Sequence, residues 1–477
     1  MIHLLALAQT ICHQDTPSPQ RRQPAWLVLS TCVALVGLSN HASVALSAET
    51  HQRPNIVLIM ADDLGFETIG ANGGTSYRTP VLDQMAAQGV RFEHCYAQPI
   101  CTPTRVKLMT GIYNVRNYAK FGFLETQQRT FANILRDAGY KTCIVGKWQL
   151  GQDKNLPDHF GFDEHCLWQL FRRPSRYPSP GLEINGVAKD YKPGYGPDVV
   201  ADYALNFIDQ NKDQPFLLYY PMILTHCPFE PTPDSADWDP QSPGSKTYKG
   251  DAKYFGDMVT YMDKTVGRIL DQLDQSGVRD NTLVLFTGDN GTDTPVVSMM
   301  GDIAVAGQKG QTTDGGTRVP LIAQWPGRTP KGNVCRDLVD FSDFLPTMCA
   351  AAKVDPPTSP PLDGQSFLPQ LMGETGTPRD WIYIWYARNG GPTGKEFTRD
   401  QRYKLYRSGK FFDIASDRLE KKPMNKATLS DDAKTAHAKL LAALNQYTDA
   451  RPERFANWKK NELKKAKPKK KENEAKR

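Results

Sequence analysis

The sequence predicts an α/β fold: a large domain with a mostly parallel mixed sheet between helices, followed by a small α+β domain. Three observations predict it. Short runs that are apolar at nearly every position recur down to residue 324, and amphipathic stretches of helical period lie between them. Beyond Leu362-Asp363-Gly364 the pattern changes to short strands separated by turns. Runs this apolar suit strands covered on both faces, the situation of a parallel sheet flanked by helices.

In chain order, residues 55–60 (NIVLIM), 141–146 (KTCIVG), 215–224 (PFLLYYPMIL), 282–287 (TLVLFT) and 318–324 (RVPLIAQ) read as strands. Residues 80–88, 130–138, 197–210 and 254–275 carry the helical pattern between them. Another helix follows Cys101, where Thr102 suits the N-cap, Pro103 the first helical position, and the helix runs through Val106 to Met109. In the last part, residues 381–386 (WIYIWY), 403–407 (YKLYR) and 410–414 (KFFDI) read as antiparallel strands, and 430–444 as a helix. The division is a leader at 1–48, a large domain at 52–372, a small one at 373–458 and a lysine-rich tail at 459–477.

A chain of 477 residues with 39% hydrophobic and 23% charged residues has ordinary globular composition. Its net charge of +6 belongs to the tail, which holds ten Lys or Arg against three Glu. The remainder has 48 basic and 49 acidic residues, so the folded part is near neutral and no nucleic-acid partner is expected. The tail reads as a solvated terminus, the alternative being a tether to acidic polysaccharide, membrane or nucleic acid. Arg21-Arg22, an apolar run over 25–38 and Ala45-Leu46-Ser47-Ala48 read as an export leader cleaved near Ser47 or Ala48. The alternative is an uncleaved N-terminal anchor; either way the body of the protein is exported to the periplasm or beyond the cell. Cys12 and Cys32 fall in the leader, leaving Cys95, Cys101, Cys143, Cys166, Cys227, Cys335 and Cys349. Export permits disulfides, yet no pairing is legible and no C-x-x-C zinc spacing is present.

The residues after the strands carry the chemistry. Asp62-Asp63 follows the first strand, Lys147 the second, His226 the third and Asp289-Asn290 the fourth. Open α/β sheets bind ligands beyond the carboxyl ends of their strands, so these residues are expected at one edge. Two adjacent carboxylates repel unless a cation lies between them. With Asp289 and Asn290 they make an all-oxygen set that favours Ca²⁺ or Mg²⁺ over zinc. Taken singly, D-N-G is more often turn chemistry. Cys101, in Cys101-Thr102-Pro103-Thr104-Arg105, falls at a helix N-terminus, where anions are favoured. C-x-P-x-R alone is a weak signal, with a structural cysteine or half a disulfide as its rivals.

Together these segments resemble the type I, formylglycine-dependent sulfatases of the alkaline-phosphatase-like superfamily. The resemblance runs from about residue 53 to 447. It is carried by Pro54-Asn55-Ile56-Val57 through Asp62-Asp63, by Cys101 to Arg105 with Leu108-Met109-Thr110-Gly111, and by Gly146-Lys147-Trp148-Gln149-Leu150-Gly151. It continues in Thr225-His226-Cys227-Pro228-Phe229, Asp289-Asn290-Gly291 and Gly307-Gln308-Lys309, followed by Asp314-Gly315-Gly316-Thr317-Arg318.

The resemblance implies an alkaline-phosphatase-like large domain and an enzyme that hydrolyses sulfate monoesters, with sulfated carbohydrate as the leading substrate class. It implies that a formylglycine-generating enzyme converts Cys101 to formylglycine (3-oxoalanine), whose hydrated diol is the nucleophile. One hydroxyl attacks sulfur; the other then loses its proton, and the re-forming aldehyde expels sulfate. It implies one divalent cation, Ca²⁺ more than Mg²⁺, held by Asp62, Asp63, Asp289, Asn290 and an oxygen of residue 101. Arg105 orients residue 101, Lys147 and Lys309 bind sulfate oxygens, and His226 contacts the bridging oxygen and is a candidate, alone or with Lys309, to protonate the leaving alcohol. One position departs from the family: Gln149 stands where many members have His, and glutamine hydrogen-bonds without titrating. Gln149 is then a sulfate or diol contact, and the base for the second hydroxyl is unassigned. Asp314 stands where the family often has Glu.

Lys107 and Arg116 read as surface charge, and His94, His159 and His165 as structural. The basic, aromatic stretch 171–177 reads as solvated loop, with a subsite for an anionic sugar chain as the sharper alternative. Two rivals to the sulfatase reading stand: a formylglycine-dependent phosphodiester or phosphonate hydrolase, and a non-catalytic protein that binds sulfated glycans.

Overall fold

The first strand shows how the core is made. All seven residues of β1 (Asn55–Ala61) are buried, and its side chains alternate between two cores. Ile56, Leu58 and Met60 face one hydrophobic cluster, and Val57, Ile59 and Ala61 face the other. Each of these side chains larger than Ala61 contributes about 1.5–3 kcal/mol through burial, so a run apolar at nearly every position is what a strand between two layers requires.

The computed structural model describes residues 53–458 except 246, 248 and 249. The leader, Cys12, Cys32 and the lysine-rich tail lie outside the described residues. Among the described residues no helix is long and apolar enough to cross a membrane. After β1 come β2 (Val90–Tyr96), β3 (Lys141–Lys147), β4 (Glu164–Trp168), β5 (Gly181–Ile184), β6 (Val187–Asp190), β7 (Phe216–Pro221) and β8 (Thr282–Gly288). A hairpin of β9 (Val297–Met300) and β10 (Ile303–Ala306) precedes β11 (Arg318–Gln324) and β12 (Asn333–Asp340).

Ten of these strands form one sheet in the order β12-β2-β11-β8-β1-β7-β3-β4-β5-β6. Its centre, β8-β1-β7-β3-β4, is parallel throughout. β11 runs antiparallel to both of its neighbours, β8 and β2. The apolarity of β11 therefore reports that it is covered on both faces, and not its direction. Helices Gly196–Gln210 and Phe255–Gln275 supply one covering layer; Cys101–Thr110, Phe131–Asp137 and Phe344–Ala352 supply the other. The helix after residue 100 starts one residue before the expected cap. Cys101 is its first residue and Ile100 its N-cap, with no side-chain capping bond. Thr102 is inside the helix, its hydroxyl turned elsewhere.

The last part of the chain adds an antiparallel sheet of β13 (Ile382–Tyr386), β14 (Lys395–Arg399), β15 (Tyr403–Tyr406) and β16 (Phe411–Asp413). Helix Asp431–Asn445 packs on it through Ala433, Ala436 and Leu440 against Tyr403, Leu405 and Phe411. The small sheet meets the large one where Ile382, Ile384 and Phe397 contact Tyr96 and Leu338. Two buried ion pairs bind the same seam, Arg399 to Asp314 and Lys404 to Glu420. Asp314 thus braces the segment after Lys309 from the side of the small sheet.

Because β1, β3, β7 and β8 run in one direction, their carboxyl ends share an edge. Backbone bonds tie the chain together just past it: Asp62 N–H donates to Leu224 O and Thr225 N–H to Asp62 O, both at 2.8 Å, and Asp289 N–H to Ala61 O at 2.9 Å. Gly146, with φ 112°, lies so close to β7 that a Cβ there would stand 2.1 Å from Pro221 O. Only glycine fits immediately before Lys147.

Candidate active site

The four strand ends bring Asp62, Asp63, Lys147, His226, Asp289 and Asn290 into one buried cluster. Asp63 holds a left-handed backbone, φ 63°, which turns its carboxylate back over the strand edge. Asp63 N–H donates to Asp289 Oδ1 at 3.0 Å, and Asn290 Nδ2 donates to Asp63 Oδ1 at 2.8 Å. Asp62, Asp63 and His226 place one ligand atom each within 4.8 Å of one another.

Two lysines neutralise this cluster. Lys147 Nζ lies 2.7 Å from Asp62 Oδ2, and Lys309 Nζ bonds Asp63 Oδ2. Lys309 also reaches His226 Nε2 at 3.1 Å. Arg105, from the helix that begins at Cys101, donates to Lys147 O at 3.0 Å and to Asp289 Oδ2 at 3.1 Å. Cys101 completes the ring: its Sγ donates to Gln149 Oε1 at 2.7 Å, and Thr102 Oγ1 donates to the same oxygen at 3.3 Å. Gln149 is held in a left-handed conformation, φ 57°. Non-glycine residues in this region of backbone space cluster at functional sites.

The electrostatics show acids crowded in a dry place. Burial pushes Asp62 up, but Lys147, Arg105 and Lys309 overcome it and hold its carboxyl below the usual range. Burial raises Asp63, with Lys309 opposing and the charges of Asp62 and Asp293 adding to the rise. Burial and the repulsion of Asp62 carry Asp289 up to about 7, against Arg105 and Lys147. Burial, then the charges of Lys309 and Lys147, holds His226 well below the usual imidazole value, so it is neutral at pH 7. Burial also raises the Cys101 thiol, which stays protonated.

A hard divalent cation fits this donor set. Three fully buried carboxylates converge, and burial raises two of them, with the charge of Asp62 adding to the rise. Asn290 Oδ1 is buried with no hydrogen-bond partner, while its Nδ2 is committed to Asp63 and to Gly291 O. An orphaned buried amide oxygen beside three carboxylates is the kind of group that could ligate calcium or magnesium.

All ten residues singled out from the sequence fall in this cluster or contact it directly. Three further participants carried no motif. Asp293 lies 3.7 Å from Lys309 Nζ. Thr292 O accepts from Lys309 N–H at 3.0 Å, while its hydroxyl bonds the buried Glu67 and accepts from Gly65 N–H at 3.1 Å. Tyr177 donates its hydroxyl to Ile223 O at 3.0 Å and to His226 O, fixing the histidine turn. Adjacency to Asp289-Asn290 was the only signal for Asp293 and Thr292; Tyr177 was marked only as the end of the basic, aromatic stretch 171–177.

The expectation of surface charge fails for Lys107. It is fully buried on the helix of Cys101, with Nζ 2.6 Å from Asp340 Oδ2. Sequence proximity cannot tell an outward lysine from one facing a carboxylate on β12. Arg116 is partly exposed and pairs with Asp363 at 2.8 Å. His94, His165 and His159 bond Tyr96, the Gly186 N–H and Thr126 O, away from the cluster. The seven described cysteines are all buried and free, with no disulfide among them.

Comparison with known proteins agrees with this geometry. The sulfatase family model matches residues 54–354, and a second model, N-sulphoglucosamine sulphohydrolase, C-terminal, matches 309–449. Arylsulfatase A of Bos taurus is 33% identical over 390 residues, covering 74% of this chain and 74% of that protein. N-acetylgalactosamine-6-sulfatase of Canis lupus familiaris is 32% identical over 376 residues, covering 71% of this chain and 69% of its own length. Among solved structures, that of Ps i-CgsB aligns with a TM-score of 0.73 at 26% identity, over 88% of this chain and 98% of that one. The matched segment contains every residue of the strand-end cluster, and the chain belongs to the sulfatase family, hydrolases acting on sulfate esters.

Proposed function

We propose that this protein hydrolyses a sulfate monoester of a sulfated carbohydrate, with the residue made from Cys101 as nucleophile and one Ca²⁺ among Asp62, Asp63, Asp289 and Asn290. The observation that carries the reading is the convergence of Cys101, two lysines, a neutral histidine and an orphaned Asn290 oxygen on one buried edge. A bound Ca²⁺ supplies a fixed positive charge for the sulfate oxygens. Asp62, Asp63, Asp289 and Asn290 would hold it, together with an oxygen of residue 101.

The chain's own residues do the rest. Residue 101 sits at the first turn of a ten-residue helix, whose N-terminal amides favour an anion. Lys147 and Lys309 face the same cluster and hold sulfate oxygens. His226, neutral and 3.1 Å from Lys309 Nζ, stands with that lysine where the bridging oxygen must leave, and Lys309 is the charged donor able to give that oxygen a proton directly. Arg105 fixes the floor of the site through Lys147 O and Asp289. Gln149 accepts a hydrogen bond from the group at residue 101 and so orients it. Conversion of Cys101 to formylglycine supplies the hydrated carbonyl from which sulfate can be released. The thiol is only 1% exposed in the fold, so conversion precedes folding and takes place on an extended chain.

The carbohydrate assignment rests on the relatives, among them an N-acetylgalactosamine-6-sulfatase, and export rests on the leader. Mass spectrometry of the tryptic peptide ending at Arg105, from natively exported protein, tests the nucleophile: an aldehyde at residue 101 supports the reading and a thiol throughout overturns it. Assay of aryl sulfate against aryl phosphodiester and phosphonate esters, with and without Ca²⁺, tests the reaction. Turnover restricted to the phosphorus esters would replace the sulfate assignment.

A further inference from the structure

Most side chains of the strand-end cluster are closed to solvent. Asp62, Asp63, Cys101, Lys147, Gln149, His226, Asp289 and Asn290 are all buried. Lys309 and Asp293 open outward, with 14% and 17% of their side chains exposed, and they lie together, Asp293 Oδ2 standing 3.7 Å from Lys309 Nζ. Thr294 and Pro295, next in the chain, are exposed. The cluster therefore meets solvent at the Lys309–Asp293 pair.

Asp293 is fixed there by its backbone. Its carbonyl accepts from Val296 N–H at 3.1 Å, and its Oδ1 accepts from Thr294 N–H at 2.8 Å. Gly307 passes so close that a Cβ on it would stand 2.0 Å from Asp293 O. Two residues further on, Lys309 N–H donates to Thr292 O at 3.0 Å. Asp293 and Lys309 are thus set on two segments held against each other, and neither can drift without the other.

The carboxylate has room for a ligand. It offers about four lone-pair positions, of which Thr294 N–H takes one. Lys309 Nζ at 3.7 Å is a charge contact longer than a hydrogen bond. The Cys227 thiol, raised to about 12 by burial first of all, adds only a weak donor beside it. The oxygen that leaves with the sugar lies, in the reaction proposed above, at His226 and Lys309, so the sugar ring bonded to it emerges past Asp293. A carboxylate at that point accepts from a hydroxyl and disfavours a second anion.

We infer that Asp293 is a specificity residue that accepts a hydrogen bond from a ring hydroxyl flanking the scissile sulfate ester. This inference rests on the sulfate site proposed above and narrows its substrate to a sugar sulfate whose flanking hydroxyl is unsubstituted.

The test uses the full-length, natively exported enzyme. Methyl galactoside and methyl glucoside monosulfates are assayed in turn, and the fastest is compared with its deoxy analogues, each lacking one flanking hydroxyl. Loss of the hydroxyl that Asp293 reads is expected to lower kcat/KM by about ten- to a hundredfold, the worth of a hydrogen bond to a charged group. Asp293→Ala should bring that ratio close to one, and Asp293→Asn, which keeps an acceptor, should retain part of it. Because the ratio compares two substrates on one preparation, partial misfolding does not move it; should Asp293→Ala be inactive, Asp293→Asn carries the comparison. A ratio near one in the unsubstituted enzyme overturns the inference. So does an equal loss on both substrates in the variants, which would mean that Asp293 acts only through Lys309. Turnover of 4-nitrophenyl sulfate by the unsubstituted enzyme reads the sulfate site separately. Its absence, with formylglycine confirmed, counts against the proposed reaction; its presence without turnover of any glycoside sulfate counts against Asp293 alone.

Discussion

Gln149 Oε1 accepts a hydrogen bond from Cys101 Sγ at 2.7 Å, and Gln149 adopts a left-handed backbone to deliver it. The position that departs from the family pattern thus touches the residue whose chemistry defines the family. An amide oxygen orients a donor but cannot carry its proton away, so the base for residue 101 must be another group or water.

Replacing Gln149 by His should keep the enzyme active and change its pH–rate profile, adding a limb in the imidazole range that the natural protein lacks. Gln149→Leu removes the acceptor shared by Cys101 and Thr102 and should lower kcat by about ten- to a hundredfold. Steady-state kinetics from pH 5 to 9 on an aryl sulfate give both results. An inactive natural enzyme with formylglycine confirmed, rescued by His, would show instead that Gln149 disables the site.

Calcium should stabilise the fold. Chelation with EDTA should lower the melting temperature, and Ca²⁺ at about a hundred times its Kd should restore close to 3 kcal/mol, a rise of several degrees. Asn290→Leu removes the orphaned oxygen and should weaken this response. Scanning fluorimetry across a calcium series, with magnesium as the comparison, measures it. Equal melting curves with and without the metals would remove the cation from the site.

Asp263 gives a pH dependence far from the site. Its carboxylate accepts from Val81 N–H at 3.0 Å and Leu82 N–H at 2.9 Å, at the start of helix Pro80–Ala87. Burial lifts it to about 6 from 3.8, against those two bonds. The folded state therefore holds this proton more tightly than the unfolded chain. The stability it contributes is complete below about pH 4 and is lost as pH rises through about 6. Asp263→Asn lacks this titration. The stability advantage of the natural protein over the variant should shrink by about 1–3 kcal/mol between pH 4 and 7. Urea unfolding at pH 4, 5.5 and 7 reads the slope; a constant difference would contradict it.

Lys107 and Asp340 form a buried pair at 2.6 Å, with Asp340 also accepting from Ser342 N–H at 2.9 Å. Lys107→Met leaves that carboxylate without its cation and should cost about 3–5 kcal/mol. Adding Asp340→Asn should recover part of the loss, since the stranded charge is then gone. Chemical unfolding of the single and double variants measures the coupling; a Lys107→Met loss below 1 kcal/mol would place the pair's carboxylate in a wetter environment than its burial implies.

The sequence by itself determined the parallel centre of the fold and the chemistry of its edge. Strands β1, β3, β7 and β8 are apolar throughout because both faces are covered, and the residues that follow them must then emerge together. That one inference placed Asp62, Asp63, Lys147, His226, Asp289 and Asn290 on one edge. The strands β2 and β12 escaped it, because charged residues interrupt them where one face is only half covered, and β4 escaped it because its five residues open on Glu164-His165 and leave only a three-residue apolar run. Tertiary structure alone decided the direction of β11, since burial leaves the same apolar pattern in either sense. It alone turned Lys107 inward, because the matching carboxylate lies on β12, far along the chain. It also set the distances that give the cluster its chemistry: the lysines seated on Asp62 and Asp63, the partnerless Asn290 oxygen, and the Gln149 contact to Cys101. Residue type fixes which groups are available; only packing fixes which of them meet, and how dry the place is where they do.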